Sequence, residues 1–227
     1  MLPDPAALRR RLDAARLLLL FTPELCGGRD ALDQLRALLP RVDLIQVRPK
    51  PLGPSRAPAA ARESLDWARR VLRLTEALDD PPLVLVDDRV DVARVLLGEG
   101  LAGVHLGADD MRPRDAREVL GSAALIGLST HSLRDVLRAE DQPVDYLGFG
   151  PVYDSTTKGL TGGLGPEHAW VASATSTRPV FPIGGIDVLR ACELTQVGRA
   201  AVGSALLSAD DPGSVAEELH WALTQAN

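Results

Sequence analysis

The chain has 227 residues, 25 basic and 31 acidic side chains, a formal charge of −6 and 45% hydrophobic residues. That length suits one large domain, and that balance excludes a disordered chain or a coiled coil. The acidic total and scattered arginines argue against a nucleic-acid partner, and no run approaches the roughly 18 apolar residues that a membrane span needs.

The two cysteines, Cys26 and Cys192, form neither a CxxC nor a metal-type spacing, and the apolar run at 17–21 is too short for a signal peptide. The expected location is therefore the cytoplasm. Lys50 and Lys158 are the only lysines among the 25 basic residues. In a chain that otherwise uses arginine, those two positions are expected to be ones where a compact ammonium serves and arginine would not.

In chain order, residues 1–14 read as an N-terminal extension. Eight short apolar runs follow, at 15–22, 42–48, 82–88, 103–107, 124–130, 145–152, 179–185 and 200–207. They are rich in leucine and β-branched residues, as strands buried on both faces should be. Helical spacing lies between them, at Leu65, Ala68, Leu72 and Leu78 and again at Val215, Leu219 and Ala222. Ser132 ahead of Leu133, and Asp211 ahead of Pro212, mark helix starts. Eight strands each followed by a helix predict a single α/β domain over 1–227, a (β/α)8 TIM barrel of eight parallel strands. A doubly wound open sheet is the alternative, with fewer strands and a reversal of strand order. In a barrel the chemistry belongs at the carboxyl ends of the strands.

The second strand ends in Gln46, Arg48 and Lys50, which alternate and so share one face. Asp87-Asp88 ends the third strand, and Asp109-Asp110 follows the fourth. Two acidic pairs at neighbouring strand ends suit a hard divalent cation such as Mg²⁺, with helix capping by Asp88 and Asp110 as the plainer reading. After the sixth strand, Ser155, Thr156, Thr157 and Lys158 supply donors to an anion, and the glycines of 159–165 predict a mobile loop. Gly184-Gly185 after strand seven and Gly203-Ser204 within strand eight suit a phosphate approaching the backbone. His105 reads as a hydrogen-bonded core residue, and His131 as a candidate acid or base. These residues together predict an enzyme for phosphorylated small molecules.

The same segments resemble a known family. Gln46-Val47-Arg48-Pro49-Lys50 is similar to its Q-x-R-x-K strand, and His105 through Asp110 to its H-x-G-x-x-D turn. Gly127 through His131 resembles its G-x-S-x-H segment, and Gly150-Pro151 through Thr157-Lys158 its G-P-x-x-x-T-x-T-K loop. The family is that of the thiamine-phosphate synthases, and the resemblance covers about residues 15–225. It implies a Mg²⁺-dependent transferase that joins an aminopyrimidine diphosphate to the nitrogen of a thiazole phosphate and releases pyrophosphate. By that resemblance Gln46 and Ser129 would face the pyrimidine. Arg48, Lys50 and Lys158 would hold the diphosphate, with Asp87 beside it and Asp88 and Asp110 on the metal. Ser155, Thr156, Thr157, Gly185, Gly203 and Ser204 would hold the thiazole phosphate.

The resemblance makes Lys50, Lys158 and Ser129 the catalytic residues, with small molecules as partners and a homo-oligomer allowed. Three positions depart from the family pattern: Asp87 stands for an asparagine, Ser155 for a threonine and Ala108 for a glutamine. The related thiazole tautomerases share Lys158-Gly159-Leu160 and Gly163-Leu164-Gly165 and would use a histidine at the place of His131. A non-catalytic barrel that binds a phosphorylated thiamine precursor is the third reading.

Overall fold

The structure, a computed structural model, describes residues 4–50, 60–154 and 162–225. Eight parallel strands make one sheet: β1 (Leu17–Phe21), β2 (Leu44–Val47), β3 (Leu83–Asp87), β4 (Gly103–Leu106), β5 (Leu125–Thr130), β6 (Tyr146–Phe149), β7 (Val180–Pro182) and β8 (Ala200–Val202). Hydrogen bonding runs in sequence order from β1 to β7, with β8 on the other side of β1. A parallel bridge between Ile183 and Ala201 brings β7 to β8, so the sheet curls into a nearly closed (β/α)8 barrel.

The helices are α1 (Pro5–Ala14), α2 (Ala31–Leu38), α3 (Ala61–Thr75), α4 (Val90–Leu96), α5 (Pro113–Leu120), α6 (Leu133–Ala139), α7 (Pro166–Thr175), α8 (Val188–Ala191), α9 (Ser204–Leu207) and α10 (Pro212–Thr224). Ser132 caps α6 by accepting from the Asp135 N–H, and Asp211 caps α10 by accepting from Ser214, both as the sequence predicts. Leu65, Ala68 and Leu72 lie on α3, but Leu78 falls beyond its last residue, Thr75. None of these helices is long and apolar enough to cross a membrane.

The strand pleat sorts side chains into two cores. Leu19, Phe21, Ile45, Val47, Val84, Val86, Val104 and Ile126 point outward under the helices. Leu18, Leu44, Leu83, Leu85, Leu125, Tyr146, Phe181 and Ala201 form the inner cluster. The segment ahead of β1 belongs to this inner core: Asp4 caps α1, and its Leu8 and Leu12 pack against the cluster. Further along the inward-facing rows, leucine gives way to polar residues: Gln46 follows Leu44, Asp87 follows Leu85 and Ser129 follows Leu125 by even steps. One end of the barrel is thus packed with hydrocarbon, and the end at which the strands finish carries the polar groups.

The eighth strand is shorter than its apolar run. It ends at Val202, and residues 204–207 form the one-turn helix α9, with Leu206 and Leu207 fully buried. Gly203 and Ser204 therefore lie at the junction after the strand and not within it. An apolar run by itself does not separate a buried strand from a buried helical turn.

Candidate active site

The network at the ends of β2 and β3 is built on the strand pleat. Gln46 is buried on β2, and its amide nitrogen donates to Asp87 Oδ1, the last residue of β3. A carboxylate only accepts, so this bond fixes the amide with its nitrogen toward Asp87 and its carbonyl away. Arg48 Nε lies 3.2 Å and Lys50 Nζ 2.9 Å from Asp87 Oδ2 as ion pairs, although among the described residues no N–H is aligned on that oxygen as a hydrogen bond. Lys50 Nζ also reaches Asp88 Oδ2 at 2.5 Å, and its side chain is only 11% exposed. Burial alone would lower the Lys50 pKa, but Asp87 and Asp88 outweigh it and hold the ammonium above its ordinary value.

Asp88 adopts a left-handed backbone, with φ of 61°, where few non-glycine residues are found. Its N–H donates to the His105 carbonyl at 2.8 Å, which holds the turn. Asp110 is held by a different turn and accepts the Gly107 N–H at 2.7 Å. Neither carboxylate caps a helix: α4 and α5 begin after Arg89 and Arg112, without side-chain caps. The capping alternative therefore fails, and what remains is a pair of carboxylates in contact. Burial, the charge of Asp87 and a hydrogen bond to Asp110 push the Asp88 carboxyl up to about 7, against the pull of Lys50.

Among the described residues no three His, Cys, Asp or Glu side chains converge into a complete metal cage. A carboxylate pair is nonetheless the donor set that suits Mg²⁺, whose octahedron is usually completed by water and phosphate oxygens. Asp88 and Asp110 are the described residues that could hold such an ion, through carboxylate oxygens alone.

The raised Asp88 pKa makes stability depend on pH. Unfolded, the carboxyl loses its proton near 3.8; folded, it keeps it to about 7. Between those values the unfolded state binds fewer protons, so the contribution of Asp88 to stability falls as pH rises. The difference in melting temperature between wild type and Asp88→Asn is expected to move against wild type from about pH 4 to about pH 8. A pH-independent difference would show that Asp88 titrates normally.

Ser129, at the carboxyl end of β5, belongs to a second group. Its Oγ lies 2.9 Å from His105 Nε2, and His105 Nδ1 lies 3.0 Å from the Tyr146 hydroxyl. His105 is thus the hydrogen-bonded core residue expected from its place in β4. His131 is exposed, its Nδ1 2.5 Å from the Gly150 carbonyl oxygen and its Nε2 without a partner among the described residues.

Gly185 follows β7 in a left-handed conformation, and an added Cβ there would collide with the Asp154 carbonyl oxygen. Gly184 is crowded less severely, by Pro151 at 2.8 Å. Close packing of the β7 end on the 151–154 turn therefore accounts for both glycines. Gly203 and Ser204 sit at the same end of the barrel, after β8. Ser155, Thr156, Thr157, Lys158 and the first part of the predicted loop at 159–165 lie outside the described residues.

Glu24 belongs to none of the sequence motifs described above. It lies just after β1, where its carboxylate accepts the Lys50 backbone N–H, and burial raises its pKa while Oε2 stays without a partner among the described residues. An acidic residue just past a strand end was the available signal. Tyr146 carries a weaker mark in the sequence, a tyrosine near the start of the apolar run at 145–152.

The chain is similar to known proteins in sequence and in fold. The sequence matches the family model described as thiamine monophosphate synthase over residues 17–208. It is 38% identical over 221 residues to a thiamine-phosphate synthase of Synechococcus sp. strain CC9605, covering 96% of this chain and 58% of the relative. The chain thus spans somewhat more than half the length of that relative. A thiamine-phosphate synthase of Thermus thermophilus is 35% identical over 209 residues, with 90% of this chain and 95% of the relative covered. Among solved structures, the thiamine phosphate pyrophosphorylase from Pyrococcus furiosus superposes with a TM-score of 0.77 at 32% identity, over 95% of this chain and 97% of that one. With a family model spanning most of the barrel and relatives matched along nearly its whole length, the chain belongs to the thiamine monophosphate synthase family.

Proposed function

We propose that this barrel is a thiamine-phosphate synthase that transfers the aminopyrimidine methylene group from its diphosphate to the nitrogen of a thiazole phosphate. The observation that carries the proposal is the cation and carboxylate network of Arg48, Lys50, Asp87, Asp88 and Asp110 at the strand ends. A diphosphate brings the negative charge that Arg48 and Lys50 can exchange for their present carboxylate partners. Asp88 and Asp110 would hold Mg²⁺, which when bound supplies charge neutralisation to the leaving pyrophosphate.

In this reading the carbon–oxygen bond to the diphosphate breaks with its electron pair leaving on pyrophosphate. The thiazole nitrogen then donates the pair that forms the new carbon–nitrogen bond. The chain needs no nucleophile of its own for this, only fixed charge and positioning. Lys50 and Arg48 stabilise the departing charge, and the Gln46 carbonyl, turned away from Asp87, accepts from the pyrimidine amino group. Lys158 with Ser155, Thr156 and Thr157, together with Gly185, Gly203 and Ser204, are assigned by resemblance to the remaining phosphate contacts.

One observation favours the tautomerase as a second reading: His131 has its Nδ1 tied to a carbonyl and Nε2 available as a base. The test follows pyrophosphate release when the aminopyrimidine diphosphate is supplied with and without the thiazole phosphate and Mg²⁺. Release that requires both is expected. Aromatisation of a thiazole tautomer, lost in His131→Ala and without pyrophosphate release, would replace the synthase by the tautomerase. Tight binding with no turnover of either kind would leave the binding barrel.

A further inference from the structure

We propose that Tyr146 is a positioning residue that locks His105 as the tautomer protonated on Nε2, so that Ser129 accepts from His105 and directs its own hydroxyl hydrogen at the ligand. The three side chains come from neighbouring strands. Register places His105 of β4 opposite Gly127 of β5, and Gly127 opposite Tyr146 of β6. A side chain at position 127 would fall within 2.5 Å of His105 Nδ1 and closer still to the tyrosine ring, so Gly127 leaves the space in which the two rings meet.

The direction of the chain of hydrogen bonds follows from its inner end. Tyr146 has no exposed surface, and its hydroxyl has His105 Nδ1, at 3.0 Å, as its one hydrogen-bond partner among the described residues. Burial pushes the phenol well above its ordinary pKa, so it keeps its proton. A buried hydroxyl hydrogen without an acceptor is strongly disfavoured, so the phenol donates and Nδ1 accepts. A neutral imidazole has one donor and one acceptor nitrogen; Nε2 therefore carries the hydrogen and donates to Ser129 Oγ at 2.9 Å.

Ser129 is half-buried at the end of β5 and has no other partner among the described residues, which leaves its hydroxyl hydrogen for a ligand acceptor. Asp87 does the converse for Gln46 by engaging the amide nitrogen and leaving the carbonyl. One fixed donor and one fixed acceptor suit a heteroaromatic ring that carries an amino group beside a ring nitrogen. The tautomer lock stands on the hydrogen-bond geometry and the burial of Tyr146; its effect on catalysis rests on the synthase reading above.

The protein labelled with ¹⁵N-histidine tests the lock directly. At about pH 8 the His105 resonances are expected to report a neutral ring protonated only on Nε2, and in Tyr146→Phe a mixture of both tautomers. A wild-type ring protonated on Nδ1 or on both nitrogens would overturn the proposal, as would an unchanged spectrum in Tyr146→Phe. In thiamine phosphate formation, Tyr146→Phe is expected to lower kcat about tenfold with the KM for thiazole phosphate unchanged. It should add no further loss to Ser129→Ala. Independent losses in the double variant would mean that Tyr146 acts on structure and not through Ser129. A protein that makes no thiamine phosphate would remove the synthase reading, while the ¹⁵N spectra would still decide the lock.

Discussion

A Lys50→Met variant is expected to lose about a thousandfold in thiamine phosphate formation and about 3 kcal/mol of stability at neutral pH. The stability loss arises because Lys50 stands between Asp87 at 2.9 Å and Asp88 at 2.5 Å with little exposure to water. Removing one partner of a buried charge group leaves the others uncompensated, which is the costly way to break it. The rate loss arises because the same ammonium would meet the departing diphosphate. Urea midpoints and initial rates on one preparation measure both. Lys50→Arg separates them, since it keeps the charge but replaces a compact ammonium by a planar fork. It should retain most of the stability and lose much of the turnover. Full activity in Lys50→Arg would mean that lysine at this position is incidental.

Asp87→Asn is expected to change the rate in the opposite direction, raising kcat/KM for the pyrimidine diphosphate roughly thirtyfold, or about 2 kcal/mol. Asp87 Oδ2 faces both Arg48 and Lys50 and so occupies the cations that the diphosphate would use. Asparagine removes the competing charge and keeps an oxygen for the Gln46 amide. The gain should appear in KM more than in kcat, because the competition is with the bound ground state. An unchanged or lower kcat/KM would show that the carboxylate serves the site, for example by holding Gln46, rather than opposing it.

Much of the architecture was legible because parallel strands buried on both faces read as near-continuous apolar runs, and helix caps such as Ser132 and Asp211 are local signals. The β8 boundary was not legible, since Ala200–Val202 and the helical turn at Ser204–Leu207 are equally apolar. At the site, Gln46 and Arg48 could be read from the two-residue period of β2. The same reading could not give the state of Asp88, which depends on its left-handed backbone and its neighbours Asp87 and Asp110. Nor could it link Tyr146 to Ser129 through His105, because that link exists only in the register of β4, β5 and β6. Glu24 meets Lys50 only once β1 and β2 are paired. What the sequence conceals is contact between strands, and most of the electrostatics of this site is of that kind.

The most direct measurement is the yield of thiamine phosphate when the purified chain is incubated with the aminopyrimidine diphosphate, the thiazole phosphate and Mg²⁺. The synthase account predicts thiamine phosphate and pyrophosphate in equal amounts, with neither formed when one precursor is withheld. Pyrophosphate without thiamine phosphate, or no product from the complete mixture, would contradict it.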